Sequence, residues 1–476
     1  MQIMVDFYAE SKQLYNFIIN FAQKFKYTPK MIEQITVRNF LSFKDKETFD
    51  FTASMEKPKK EYSFMKWFEE MNKKKILKAQ FLFGNNATGK SNFLHAIAML
   101  ANIICMKRTS KTAKEYRLRD TFFKLSSATI NQPSAIEAVF HINKIRYTYE
   151  VEYNDNTIIR EHLKRQDGSK RPATIYERSF DKEKDIVIIN YPSKNISPSS
   201  QSVINENVIK NTSVISVYDE KNIESEDLKN VYTYFSHIGI FNNLDDLDLA
   251  SMLDERKDKD LLKEILLDLL KDLGSNIIDY KIKKFKIKIG EKEKNILKMA
   301  LGEDVFNEEY AERTIRKVEF AHPADLPDGR GWLTEDEESE GTINMIKLII
   351  ILYEASRRKS PIIIDDCAVG IHRETFGRII QFFLAVSSNI QFIMSSQQLS
   401  IMEMKGFRRD TVRFFDKNRQ TGVTSCQSIN LRKYHKNLSI LNAYLNNSFG
   451  CLPASPPLEE WIIKLEDHYK AKINQQ

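Results

Sequence analysis

Residues 76–104 read ILKAQFLFGNNATGKSNFLHAIAMLANII: an apolar run, a polar octet bounded by glycines, and a second apolar run in direct succession. The octet, Gly84–Ser91, fits G-x-x-x-x-G-K-[ST] at every fixed position. It also sits between an expected strand and an expected helix, the context its mechanism requires. Gly84 and Gly89 permit the tight backbone in which successive amides surround phosphates at a helix N-terminus, where the helix dipole favours an anion. Lys90 would neutralise the outer phosphates, and the Ser91 hydroxyl would reach Mg²⁺. Asn85, Asn86 and Asn92 complete the candidate loop and the first helical turn. The competing reading is a chance glycine-lysine turn.

A phosphate-binding loop of this kind needs an acidic strand end to complete its metal site, and PIIIDD, residues 361–366, supplies one. Asp365 is the expected magnesium-side carboxylate. Asp366 stands where a general base would orient an attacking water. Taken alone, IIIDD has a rival reading as a buried strand ending in a turn. A third element, EDEESEGTINMIKL at 335–348, is an acidic stretch with Ser339, Gly341 and Thr342 leading into a helix. A solvated acidic turn is the alternative there.

Hydrophobic residues make up 42% of the 476 and charged residues 29%, which excludes wholesale disorder and supplies a core. Two or three structural units are expected at this length. The formal charge of +7 is small against 72 basic and 65 acidic residues, so contact with DNA is permitted and not indicated. Cys105, Cys367, Cys426 and Cys451 are scattered without a CxxC pair, which argues against a zinc site or a disulfide framework. LIIILY at 348–353 is the strongest apolar run and is far shorter than the ~20 residues of a membrane span. Asp6 and Glu10 stand where an export signal would be apolar, and a cytoplasmic location is expected.

Along the chain, residues 1–30 place Phe7, Leu14, Phe17, Ile18 and Phe21 at helical spacing before Pro29, an amphipathic N-terminal extension. Residues 31–212 hold the phosphate loop and a strand-rich lobe, in which AIEAVFHINKIRYTYEVEYNDNTIIREHLKR alternates around Asn and Asp turns as antiparallel strands do. YPSKNISPSSQSVINENVIKN, starting at 191, is rich in Ser, Asn and Pro and reads as an exposed loop. Residues 213–311 are expected to be a helical insertion, ending in the basic strand-like YKIKKFKIKIG at 280–290. Residues 312–430 form the second helix-and-strand region, and 431–476 a short tail. No heptad pattern persists long enough for a long coiled coil.

The three motifs in this order, with a wide gap after the first, resemble the ABC-type ATPase heads of the RecF and SMC class. ITVRNFLSF at 35–43 is similar to the first strand of those heads, and SEGT at 339–342 to their signature motif. Within that class the resemblance extends to the OLD-related AAA_15/AAA_21 group, of the RloA, AbiLi and PARIS ATPase-subunit kind. It is carried there by His322, by GIH at 370–372, and by the stretches RRDTVRFFDKN and NLSILNAYLNNSFGCLP.

The resemblance implies an α/β fold: an ABC-type P-loop ATPase head with an antiparallel β lobe and a helical insertion. Gly84, Gly89, Lys90 and Ser91 would bind ATP and Mg²⁺, Asp365 would serve the metal, and Ser339 and Gly341 would cap the γ-phosphate of a facing subunit in a homodimer or higher homo-oligomer. The family's catalytic glutamate is Asp366 here, one methylene shorter, and its switch histidine is Gln397, which cannot titrate. Slow hydrolysis and long-lived ATP-bound dimers are the expectation. The resemblance further implies a sensor or scaffold subunit of an antiphage, abortive-infection system that controls a separately encoded effector, a nuclease for preference. A RecF-like DNA-binding repair ATPase, with KIKKFKIKIG as its contact, is the alternative.

Overall fold

Alternation along three short apolar strands organises the molecule. In the computed structural model they are β5 (Ala79–Phe83), β15 (Ile362–Ile364) and β16 (Phe392–Ser395), all parallel and buried on both faces. Ala79, Phe81, Phe83, Ile362, Ile364, Phe392 and Met394 point into one apolar core. Leu82, Ile363 and Ile393, out of phase by one residue, point into another. Residues 30–54, 65–68, 74–106, 108, 110, 118, 120–288, 290, 294, 312–358, 360–386, 390–404, 407–429, 439–452 and 458–473 are described. The N-terminal extension expected over 1–30 lies outside the described residues except for Lys30, as do most of 289–311.

The first core is closed by two helices, α6 (Glu340–Arg358) and α7 (Arg373–Val386), with help from α4 (Leu249–Asp254) and α5 (Lys259–Asp272). The second is closed by α1 (Lys90–Cys105), whose Phe93, Leu94, Ile97, Leu100 and Ile104 are buried between the parallel sheet and a second, antiparallel one. That second sheet has the order β10 (Ile186–Asn190), β9 (Ala173–Asp181), β8 (Ile158–Asp167), β7 (Ile145–Tyr153), β6 (Ser134–Ile142), β1 (Lys30–Arg38) and β2 (Glu47–Asp50). In β7 the buried residues Tyr147, Tyr149, Val151 and Tyr153 alternate with partly exposed ones, so one face of the lobe is core and the other meets solvent. The α/β fold with an antiparallel lobe is therefore as expected, and no long coiled coil occurs among the described residues.

Gln391 is one of the side chains that join the two sheets. β1 bulges at its pairing with β6 between Ile32 and Gln34. The fully buried Gln391 takes up the main-chain groups of Ile32: its Oε1 accepts the Ile32 N–H at 2.8 Å, and its Nε2 donates to Ile32 O at 2.9 Å and Leu77 O at 3.2 Å.

Two stretches differ from their sequence reading. The Ser-rich segment read as an exposed loop contains a helix, α2 (Pro198–Asn207), with Ser197 accepting the Ser200 N–H as its cap and Pro198 in the first turn. Ser-Pro opens helices as readily as it opens loops, and composition alone cannot separate the two. Within 213–311, read as a helical insertion, α3 (Glu226–Ser236), α4 and α5 do form. Between them lies β11 (Gly239–Phe241), which pairs parallel with β15 and edges the central sheet, whose order is β11-β15-β16-β5-β17-β18. β17 is Val412–Lys417 and β18 is Thr424–Ser428. A three-residue strand leaves no legible period. The basic stretch forms β12 (Asp279–Lys288), paired antiparallel with β13 (Glu312–Pro323), which pairs in turn with β14 (Arg330–Thr334).

The helical segment is tied to α6 through Asp258. Its carboxylate accepts from Arg256 Nε at 2.9 Å, the Tyr353 hydroxyl at 2.7 Å and Arg357 at 2.5 Å, while Arg256 also reaches Glu354. Burial alone would raise the Asp258 pKa. The bonds from Arg256 and Tyr353 and the charges of Arg256 and Arg357 outweigh it and hold the group down to about 2, below its ordinary 3.8. A carboxyl with a depressed folded pKa adds stability that is complete above the unfolded pKa and fades as pH falls through the folded one. Asp258→Asn is expected to cost about 1–2 kcal/mol at neutral pH. In urea unfolding the gap between parent and variant should hold from pH 7 to pH 5 and close below about pH 4. A gap that is the same at pH 3 as at pH 7 would show that the carboxylate charge is not what ties these elements.

Candidate functional site

The carboxyl ends of β5, β15 and β16 lie side by side, the edge at which open α/β sheets place ligands. From β5 the chain turns through residues 84–89 into α1 without a side-chain cap, so the first amide groups of the helix are left for a ligand. Gly89 is required by contact as well as by its φ of +107°: a Cβ there would lie 2.6 Å from Thr424 Oγ1 and 2.9 Å from Ser42 Oγ. These two residues clamp the loop. Thr424 Oγ1 donates to Thr88 O at 2.8 Å, Thr424 N–H donates to Ser42 O at 2.8 Å, and Asn92 Nδ2 donates to Ser42 Oγ at 2.7 Å.

Lys90 is buried and folds back over the loop, its Nζ donating to Gly84 O at 2.8 Å and Asn85 O at 3.0 Å. Burial lowers its pKa from the ordinary lysine value, and the charges of Asp366 and then Asp365 oppose that shift. The charges of the two sequence-distant motifs thus act on one another. Asn86 is exposed at the loop tip, and Ser91 is half-buried in the first helical turn.

Asp365 continues the β15 ladder, its N–H donating to Phe241 O at 2.9 Å. Ser395, the last residue of β16, joins the two aspartates: its Oγ donates to Asp365 Oδ1 and accepts the Asp366 N–H at 2.9 Å. Asp366 has a φ of +49°, a left-handed conformation that costs a non-glycine residue about 1 kcal/mol. Its Oδ2 accepts from Gln397 Nε2 at 3.2 Å, and its Oδ1 is buried with no hydrogen-bond partner. The expected catalytic pair is therefore in contact, with one carboxylate oxygen unclaimed.

Ser339, Gly341 and Thr342 stand at the start of α6. Ser339 Oγ accepts the Thr342 N–H at 3.1 Å and lies 2.7 Å from Thr342 Oγ1. Gly341 packs directly on the backbone of Gly370, where a Cβ would come within 2.3 Å of Gly370 O. Among the described residues, no hydrogen bond joins this helix start to residues 84–91. Ser339 is exposed instead. His322 lies behind it, with Nε2 2.5 Å from Glu338 Oε1 and Nδ1 2.9 Å from Asn276 Oδ1.

Sequence reasoning missed Ser42, Thr424 and Ser395. Ser42 lies inside the quoted ITVRNFLSF and Ser395 two residues before Gln397, while nothing around Thr424 marks it.

The family model described as "AAA domain, putative AbiEii toxin, Type IV TA system" matches residues 81–403, more than half of the chain and all three motifs. The chain belongs to this AAA family. Its core is accordingly a P-loop ATPase domain. No curated protein matches. Among solved structures, the SMC head domain from Thermotoga maritima is 13% identical with a TM-score of 0.40, covering 84% of this chain and 99% of that one. An Smc head domain derived from Pyrococcus furiosus, bound to the C-terminal domain of ScpA, is 12% identical with a TM-score of 0.38, covering 85% and 97%. The recombination mediator RecF is 14% identical with a TM-score of 0.34, covering 84% and 99%. The family assignment rests on the family model and not on these structures.

The residues fit ATP and Mg²⁺. An uncapped helix start and the Lys90 ammonium suit phosphate oxygens, and the Ser91 hydroxyl and the Asp365 carboxylate are the hard oxygen ligands magnesium prefers. Gly341→Ala tests the backbone contact between the α6 start and the aspartate loop. Since the clash is with main chain, it is expected to destabilise the fold by about 1–3 kcal/mol. An unchanged urea midpoint would show that the two glycines do not need to touch.

Proposed function

We propose that this chain is an ABC-type ATPase that dimerises on ATP and acts as the sensor or scaffold subunit of an antiphage, abortive-infection system, controlling a separately encoded effector. The P-loop running into an uncapped helix, with the Asp365–Asp366 pair at the end of a strand of the same sheet, supports the nucleotide part of this reading. Residues 84–92 would hold the phosphates, Lys90 releasing its two carbonyls to meet them, and Ser91 with Asp365 would hold Mg²⁺. When bound, the metal would neutralise phosphate charge. Asp366 would orient the attacking water with its free oxygen, and Gln397 would keep the other in place.

The exposed Ser339 and the adjoining Gly341 and Thr342 supply the surface that would cap the γ-phosphate of a facing subunit. Two nucleotides would then lie between two copies in an isologous interface. The antiphage part rests on the resemblance to the OLD-related ATPases and on the toxin named in the family description. Fold alone does not carry it.

The DNA-binding alternative is weakened by the surroundings of β12. Lys281 and Lys283 pair with Glu319, and Lys284 with Asp254, so the strand is not an open basic face. Salt-dependent retardation of duplex DNA in the presence of ATP would restore that reading.

ATP turnover and binding by purified protein test the nucleotide reading. Lys90→Ala should lose ATP binding by about 100-fold or more, since a charge-assisted phosphate contact is removed and its partners are left bare. Asp366→Glu should raise turnover about tenfold if the shorter acid limits water positioning. ATP binding that survives Lys90→Ala would sink the site assignment; turnover that falls in Asp366→Glu would sink the account of slow hydrolysis. For the defence role, co-expression with the neighbouring reading frames should yield a complex whose effector is released when ATP is consumed, and loss of phage protection in Lys90→Ala.

A further inference from the structure

Three successive residues after β15 are held by one residue of the neighbouring strand. Ser395, the last of β16 and fully buried, accepts the Cys367 N–H on its main-chain oxygen at 3.1 Å and the Asp366 N–H on Oγ at 2.9 Å, and donates from Oγ to Asp365 Oδ1. Its own backbone is fixed in the sheet, where it stands opposite Leu82 of β5. A serine hydroxyl carries one hydrogen and two lone pairs. A backbone N–H can only donate, so the Asp366 amide takes a lone pair and the hydroxyl hydrogen is committed to the Asp365 carboxylate. The main chain of Asp365 is anchored as well, by its N–H on Phe241 O. Among the described residues, no other hydrogen bond reaches the Asp365 carboxylate, which leaves Oδ2 for a ligand.

We propose that Ser395 is a positioning residue for Mg²⁺: by holding Asp365 Oδ1 it fixes the carboxylate with Oδ2 as the oxygen offered to the metal, and so sets the affinity of the site for the ion. The inference rests on the nucleotide reading above and adds a residue to it. Being fully buried, Ser395 is not itself a ligand; it acts through Asp365. Without the hydroxyl, the carboxylate turns over a broad range about its last bond and must be ordered again whenever the ion binds. Partners that hold a metal ligand from behind are worth about 10–100-fold in metal affinity. The phosphate loop does not share this dependence, since no hydrogen bond joins Ser395 to residues 84–92 among those described.

Two titrations of the full chain test this. One is ATP binding in EDTA, followed by calorimetry; the other is Mn²⁺ binding with one equivalent of a non-hydrolysable ATP analogue, followed by loss of the free-ion EPR signal. Ser395→Ala should bind ATP in EDTA as tightly as the parent, which also shows that it folds, while its Mn²⁺ affinity falls about tenfold. Ser395→Thr keeps the hydroxyl and should hold Mn²⁺ nearly as well as the parent. Asp365→Asn should bind Mn²⁺ more weakly than either. Unchanged Mn²⁺ affinity in Ser395→Ala overturns the role of Ser395, provided Asp365→Asn shows its loss. Equal loss of ATP and Mn²⁺ binding in Ser395→Ala also overturns it, because the hydroxyl would then serve the fold. So does a Ser395→Thr protein that binds ATP in EDTA yet holds Mn²⁺ as poorly as Ser395→Ala. A parent that binds no ATP, or Mn²⁺ affinity that survives Asp365→Asn, sinks the nucleotide reading itself and this inference with it.

Discussion

A lysine ammonium withdrawn from water must have its charge answered, or it costs several kcal/mol. Lys90 is 7% exposed; two carbonyls accept from it, and the charges of two carboxylates favour its protonated form. The requirement reaches well beyond the loop. The carbonyls belong to the turn leaving β5, while the carboxylates belong to the end of β15, and β16 lies between the two strands. All three strands must therefore end at one level, and their full burial with strict alternation into two cores fixes that level. A slip of one residue in β15 would carry Asp365 off the edge and move Ile363 from one core to the other.

The same edge reaches the start of α6 through backbone rather than through long side chains. Asp366 and Gly370 belong to one loop, and Gly370 lies against Gly341, with Asn344 Nδ2 donating to Val369 O at 3.3 Å. Ser395 fixes the near end of that loop by holding both aspartates. A shift of Asp366 toward a ligand would thus press on the helix start directly. Contacts between main-chain atoms have little slack, so such a shift would either be refused or be passed on to Ser339.

Much of this was legible in the sequence because each piece is local or periodic. The octet 84–91 carries its own turn and helix start, IIIDD carries its strand, and the lobe from β6 to β8 announces itself by alternation around Asn and Asp turns. What could not be read depends on partners distant in the chain. β11 is a strand only because β15 lies beside it, and three residues hold no period. Gln391 looks like any polar residue beside a strand until the bulge in β1 leaves Ile32 in need of it. Thr424 and Ser42 matter because Gly89 has no Cβ, a relation between three separate segments. The α2 helix was misread for a different reason: Ser and Pro serve both as loop formers and as a cap with a first-turn residue, and only the burial of Ser200 and Ile204 decides between them.

Asp366 brings these threads together. Its left-handed backbone is held by the Ser395 bond to its amide, so the strain is sustained by the neighbouring strand rather than relieved. One of its oxygens is engaged by Gln397, and the other is buried and unclaimed. A buried acceptor without a partner costs about 1–3 kcal/mol, and a water brought in with the nucleotide would recover it. The amide of Gln397 keeps its donors at every pH and has no proton to pass on, in contrast with a histidine at the same place. On the proposed reading the pair therefore favours a state in which a water is held but seldom activated. Such an arrangement suits a protein whose nucleotide-bound form is the working form, with hydrolysis setting how long that form lasts.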